Sequence, residues 1–187
     1  MTLEEAWETF VELYTKGSVE EAQRFYLTEV WPELVKRWRE KPRGDIPTRP
    51  YRKSVHTLGT SPEAAVLAAL ALGSQDVHLL YTSDTEKHLP FVAEWTGVKV
   101  TGHLVDREDP RPIYQTAREL TRPGGEPVAF DMTGGTKVMG AALMAMGFVL
   151  AKEGALVDVF YLSSDAYDPK VRKPRSYSER LTRVPAP

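Results

Sequence analysis

The ten residues FDMTGGTKVM, Phe130 to Met139, place a Gly-Gly turn, two threonine hydroxyls and one lysine between an apolar strand and a long apolar helix. Such a turn can hold a polyanion. Glycine at 134 and 135 keeps side chains off the backbone, and glycine tolerates the positive φ angles that aim successive N–H groups at one point. Thr133 and Thr136 add hydroxyl donors. Lys137 falls in the first turn of the helix, where the positive end of the dipole and the unpaired N–H groups already favour an anion. Asp131 suits the task of orienting the loop through backbone N–H groups better than that of a base facing a polyanion. The implied chemistry is phosphate binding, and the implied ligand is nucleotide-like.

A second loop of similar make is LGTSPE, Leu58 to Glu63, with Gly59, Thr60 and Ser61 ahead of Pro62. Thr60 or Ser61 can also cap a helix that has Pro62 at its first position, a role compatible with ligand contact. A third loop, TSDTEK from Thr82 to Lys87, can bring Ser83 to the rim of the same site, and its Ser83 or Asp84 suits a helix cap.

These loops need a scaffold, and the pattern from Tyr51 onward supplies one. Strands are expected at 51–58, 76–82, 98–105, 127–130 and 155–162, alternating with helices at 62–72, 84–95, 111–121 and 136–152. That alternation predicts an α/β fold, a Rossmann-like, mostly parallel sheet with helices on both faces. In the order 3-2-1-4-5, the first and fourth strands are neighbours and the order reverses between them. Ligands bind such sheets at that switch point, beyond the carboxyl ends of the strands, where both Gly and hydroxyl loops would lie.

Residues 1–50 read as an N-terminal helical hairpin and linker. Thr2 with Glu5 and Ser18 with Glu21 are capping-box pairs, Gly17 suits a helix end, and Pro32 should kink or split the second helix. The segment KPRGDIPTRP, Lys41 to Pro50, breaks helical structure. Residues 51–163 make the Rossmann-like domain, and the polar residues 164–187 read as an arm or linker. There is no internal repeat.

With 187 residues and 42% hydrophobic content, the chain can bury a core. A net charge of −2 argues against binding long nucleic acid through bulk electrostatics. No apolar run approaches the roughly 20 residues that span a bilayer, and the acidic start MTLEEAWETF is no secretory leader. A cytoplasmic location without membrane partners is expected. Cysteine is absent, which removes disulfides, thiol catalysis and Cys-ligated metals. His56, His78, His88 and His103 lack metal-ligand spacing, so no metal site is expected. Neither glycine loop has GxGxxG or Walker A spacing, so no dinucleotide or other cofactor is expected.

HTLGTSPEA after the first strand and FDMTGGTKVMGAAL after the fourth resemble the paired motifs of the CARF (CRISPR-associated Rossmann fold) family, above all its Csx1/Csm6-like branch. In that branch a D-x-T-G-G-T-K-x-M turn is followed by a Tyr-bearing strand and an R-x-P…E-R-L tail. Here the tail reads VRKPRSYSERL, Val171 to Leu181. The resemblance implies binding of a cyclic oligoadenylate, the second messenger of type III CRISPR systems, across the dyad of a homodimer. Gly59, Thr60, Ser61, Ser83, Asp131, Thr133, Gly134, Gly135, Thr136 and Lys137 would form the binding site, with tetra-adenylate preferred to hexa-adenylate.

Longer relatives carry a C-terminal HEPN ribonuclease domain, and this chain ends where that domain would begin. Arg49 and His56 have the spacing of its Arg-x4-6-His motif, but they fall on a linker and a strand instead of a helix. Some family members degrade their own ligand, so metal-independent ring cleavage is one expectation, with Lys137, Ser61 and Thr60 as catalytic residues. A sensor that passes the signal to a partner is the other. A homodimer also fits the helices Ala64 to Leu72 and Val138 to Leu150, which are apolar nearly all round and need cover on two sides; the N-terminal hairpin is an alternative cover for one. A different class is a HAD-like phosphotransferase with Asp131 as its Mg²⁺-dependent nucleophile, disfavoured because Asp131 follows the fourth strand and not the first.

Overall fold

A computed structural model describes residues 1–186. Its centre is a six-stranded sheet built from β1 (Lys53–Thr57), β2 (Asp76–Tyr81), β3 (Lys99–Leu104), β4 (Val128–Asp131), β5 (Val157–Ser164) and β8 (Glu179–Val184), in the order β3-β2-β1-β4-β5-β8. The pairings β1 with β2, β1 with β4, β2 with β3 and β4 with β5 are all parallel. β1 and β4 are buried nearly throughout and β2 is partly exposed only at its ends; β2 and β4 are largely apolar, whereas β1 buries the polar Ser54, His56 and Thr57. The edge strand β3 alternates between exposed and half-buried positions.

Four helices connect these strands: α4 (Glu63–Leu72), α5 (Leu89–Thr96), α6 (Arg111–Leu120) and α7 (Lys137–Lys152). On one side of the sheet, Val55, Val128, Phe130 and Val159 pack with Ile113 and Ala117 of α6 and with Met139, Leu143, Met146 and Leu150 of α7. The helix expected over 84–95 is shorter at its start. A 3-10 turn at Glu86–His88 precedes α5, and Pro90 stands in the first turn of α5, where a missing N–H costs nothing.

The chain divides into two compact units, Met1–Gly44 with Ser163–Arg180, and Asp45–Leu162 with the strand from Leu181. In the first unit, α1 (Leu3–Lys16) opens on a full capping box, with Thr2 N–H donating to Glu5 at 2.7 Å and Glu5 N–H to Thr2 at 3.2 Å, and ends at Gly17. At the second start only half of the expected box forms, with Ser18 accepting from Glu21 N–H at 3.5 Å.

Proline at 32 coincides with an irregularity in the second helical segment but does not end it. α2 (Val19–Phe25) passes through a π-turn at Tyr26–Val30 into α3 (Trp31–Glu40), so that Pro32 starts a helix instead of breaking one.

The segment after Ser163 differs from the extended arm its polarity suggested. It forms a short antiparallel pair, β6 (Tyr167–Asp168) with β7 (Lys173–Pro174), and then the edge strand β8. Its Tyr177 receives the Arg37 guanidinium 4.3 Å above its ring and donates its hydroxyl to the Lys41 carbonyl at 2.5 Å, so the segment belongs with the N-terminal helices. In the same segment Glu179 is buried, and burial pushes its carboxyl up to about 7.

Candidate functional site

The strand order reverses between β1 and β4, and the loops leaving their carboxyl ends touch. The Thr57 hydroxyl donates to the Gly134 carbonyl at 2.7 Å. A Cβ on Gly59 would lie 2.8 Å from the Gly135 nitrogen, and one on Gly134 would overlap the Thr57 carbonyl oxygen. Gly134 therefore serves the approach of one loop to the other, not access of a ligand. The positive φ expected in this turn is confined to Gly135, at 72°.

Asp131 and Thr133 have their side-chain polar atoms committed within the protein. Asp131 is fully buried; it accepts from the Thr133 N–H at 3.1 Å, from the Thr133 hydroxyl in a short bond, and from His56 Nδ1 at 2.9 Å. This is the loop-orienting task expected of it. A nucleophilic Asp131 is ruled out by the same burial, and with it the HAD-like phosphotransferase reading. The Thr133 hydroxyl is spent, because it also accepts from the Leu162 N–H at 2.6 Å. Thr136 is spent as well: it accepts from Met139 N–H at 3.2 Å as the cap of α7 and donates to the Arg107 carbonyl at 3.0 Å. The two threonines expected as ligand donors thus hold the turn together.

The opposite loop keeps its donors free. α4 begins at Glu63 behind Pro62 with no side-chain cap, so neither Thr60 nor Ser61 is used as one. Both are exposed, and neither side chain has a polar partner among the described residues. The same holds for Lys137, the first residue of α7. An unpaired ammonium at a helix N-terminus, with two unpaired hydroxyls on the loop that touches its own, is a donor set that suits a phosphodiester.

In the third loop neither Ser83 nor Asp84 caps a helix. Thr85 closes that turn by accepting from the Thr82 N–H at 3.0 Å, and Ser83 is left exposed without a partner. Asp84 forms a short ion pair with Arg107. Arg107 is a rim cation that no motif revealed. It is brought to the crevice because its carbonyl holds Thr136, and nothing in the sequence around it signals that contact.

Neither His56 nor the pair His78 and His103 offers the crevice a base. His56 is buried beneath the loops. His78 and His103 face each other across β2 and β3 at 2.9 Å, and burial holds both below the usual histidine range. Among the described residues no three His, Asp or Glu side chains converge as metal ligands. A cavity of about 440 Å³ opens at the other pole of the sheet, beside Tyr51, Pro127 and Asp158. Asp158 there binds Arg183 and accepts from the Tyr51 hydroxyl, both in short contacts.

No family model matches the chain. Over 186 residues, 99% of its length, it is 38% identical to the CRISPR system endoribonuclease Csm6 of Thermus thermophilus. The chain is a Csm6 homologue. It spans 40% of the length of that relative. Among solved structures it resembles Can2 from Sulfobacillus thermosulfidooxidans, whose structure is a complex with cyclic tetra-adenylate. The TM-score is 0.51 at 20% identity, over 60% of this chain and 32% of Can2. At that identity the likeness concerns the fold alone. Within this CARF domain the D-x-T-G-G-T-K turn divides its labour, with Asp131, Thr133, Gly134 and Thr136 shaping the turn and Lys137 left to act. The paired motifs lie on the two loops that touch at the switch point, while the roles of His56 and Arg107 there show only in their contacts.

Proposed function

We propose that this CARF domain binds a cyclic oligoadenylate of type III CRISPR signalling in a homodimer crevice, tetra-adenylate in preference to hexa-adenylate. The observation that carries this reading is the set of uncommitted donors, Thr60, Ser61 and Lys137, at the β1/β4 switch point and the start of α7. The Csm6 relative and the Can2 neighbour, solved with cyclic tetra-adenylate, point to the same ligand class.

The dimer has separate support. Seven of the ten residues of α4 are buried within the chain, so that helix needs no further cover. On α7, by contrast, Ala141, Ala145 and Val149 follow one another at helical spacing on an exposed apolar stripe, with Val149 43% exposed. A second copy would bury this stripe. A ring with an even number of identical units can then sit on the dyad, taking the same donors from each protomer.

The same donors support slow, metal-independent opening of the ring. A ribose 2′-OH attacks its adjacent phosphorus, the bond to the 5′-oxygen breaks, and the proton of the 2′-OH ends on the leaving 5′-hydroxyl through solvent. The products are a 2′,3′-cyclic phosphate and a free 5′ end. Lys137 would stabilise the charge on the phosphorane, and Ser61 or Thr60 would hold the 2′-OH in line. With no general base assigned to the 2′-OH, slow turnover is expected.

Labelled cyclic tetra- and hexa-adenylate, incubated with the protein in EDTA, test the reading by gel shift for binding and denaturing gel for products. Tight binding of the smaller ring is expected, together with gradual appearance of linear 2′,3′-cyclic phosphates. Binding without products would leave a sensor, and binding of neither ring would remove the proposal. Lys137→Ala should weaken binding by about 10- to 100-fold, the worth of a charge-assisted contact, and abolish cleavage while leaving the melting temperature unchanged.

A further inference from the structure

A chain of buried polar groups runs under the crevice and takes no part in contacting a ligand. Ser54 Oγ lies 2.7 Å from His56 Nε2, His56 Nδ1 lies 2.9 Å from Asp131 Oδ2, and Asp131 Oδ1 receives the Thr133 N–H and hydroxyl. Thr133 Oγ1 in turn accepts from the Leu162 N–H. The chain thus crosses from β1 through β4 to β5. Ser54, His56 and Asp131 are each completely buried, and His56 and Asp131 are register partners on adjacent parallel strands.

We propose that His56 is a positioning residue for the crevice, holding one oxygen of Asp131 so that the other fixes the Thr133 to Gly135 turn and the start of α7. The inference rests on the anion-binding reading of that turn. A carboxylate only accepts hydrogen bonds, so Nδ1 donates to Asp131, whereas the Ser54 hydroxyl can take either role towards Nε2. With both oxygens held, the carboxylate cannot rotate about its Cβ–Cγ bond. Without the Nδ1 donor, Oδ2 becomes an unpaired acceptor in a dry site. Rotation to find another donor would then draw Oδ1 away from Thr133. The turn that presents Gly135 and Lys137 would lose its anchor, although no ligand-facing atom had changed.

Two substitutions separate this role from simple core packing. Asparagine places an N–H donor where Nδ1 stands and glutamine places its amide where Nε2 stands, so His56→Asn keeps the bond to Asp131 and His56→Gln keeps only the side facing Ser54. Both lose the ring and should cost similar stability. We expect amides 133–137 of the ligand-free protein to exchange with deuterium at the wild-type rate in His56→Asn. In His56→Gln they should exchange about tenfold faster, and cyclic tetra-adenylate should bind about tenfold more weakly. Equal behaviour of the two variants in exchange would overturn the proposal.

If His56→Gln does not fold, Ser54→Ala loosens the His56 imidazole from its other side, with about a threefold change expected in exchange and affinity. No change there would also overturn it. A wild-type protein that binds neither ring would sink the ligand reading alone, because the exchange pattern judges the relay without a ligand.

Discussion

The two loops at the switch point are built from the same residue types and do opposite work. In the β4–α7 loop every hydroxyl and the aspartate are consumed internally: Asp131 by His56 and Thr133, Thr133 by Leu162, and Thr136 by Met139 and Arg107. In the β1–α4 loop Thr60 and Ser61 are exposed and unpaired. One loop is a rigid frame and the other a set of free donors leaning on it through Gly59 and Thr57. A threonine beside glycines therefore does not mark a ligand contact by itself. What matters is whether its hydroxyl has already found a partner.

Substitutions in the frame should register as lost stability, and those among the free donors as lost affinity. The largest effect is expected from Gly134→Ala, whose methyl would overlap the Thr57 carbonyl oxygen, a backbone atom that cannot swing away. Urea unfolding should show a loss of about 3 kcal/mol, and an unaltered midpoint would break the picture of a rigid frame. Next comes Thr133→Val, which leaves Asp131 short of a donor and the Leu162 N–H without an acceptor. A loss of about 2 kcal/mol is expected, with thermal melting as the check.

Glu179 lies outside both loops and provides a control that changes stability alone. Burial raises its carboxyl to about 7 from an ordinary 4.5, so the folded chain keeps a proton that the unfolded chain releases between those values. The resulting cost is absent below about pH 4.5, grows as pH rises, and is complete above about pH 7. Glu179→Gln should thus stabilise the protein by about 1 kcal/mol at pH 8 and by little at pH 5. Ring affinity should not move at either pH. An equal gain at both pH values would show that the carboxyl does not titrate in this range.

The smallest effect on stability is expected from the paired change Thr60→Val and Ser61→Ala, within about 0.5 kcal/mol. Its effect on ring binding should reach about tenfold. A melting temperature that fell while affinity held would reverse the roles assigned to the two loops.

Much of this was legible beforehand. Period-two and period-3.6 apolar patterns placed the five central strands and their connecting helices, because burial on a strand or helix face leaves a local trace. Pro32 and the Thr2–Glu5 pair announced an irregularity within a helical segment and a helix start for equally local reasons. The segment after Ser163 misled, since its edge strand and hairpin are polar and their stabilising contacts come from the far end of the chain. Arg43, for example, donates to the Tyr177 carbonyl at 2.8 Å.

The sequence by itself determined the α/β alternation and the two Gly and hydroxyl loops that follow the first and fourth strands, which rest on periodicity and on turn residues acting on near neighbours. The order 3-2-1-4-5 was an expectation from the fold class, and the sixth strand β8 was not foreseen. Tertiary structure alone decided which hydroxyls remain free. Thr136 is spent on a carbonyl 29 residues away, Thr133 on an N–H equally distant, and Asp131 on a histidine 75 residues away. A hydrogen bond is satisfied by whatever group the fold brings within about 3 Å, and that proximity across strands has no counterpart in local spacing.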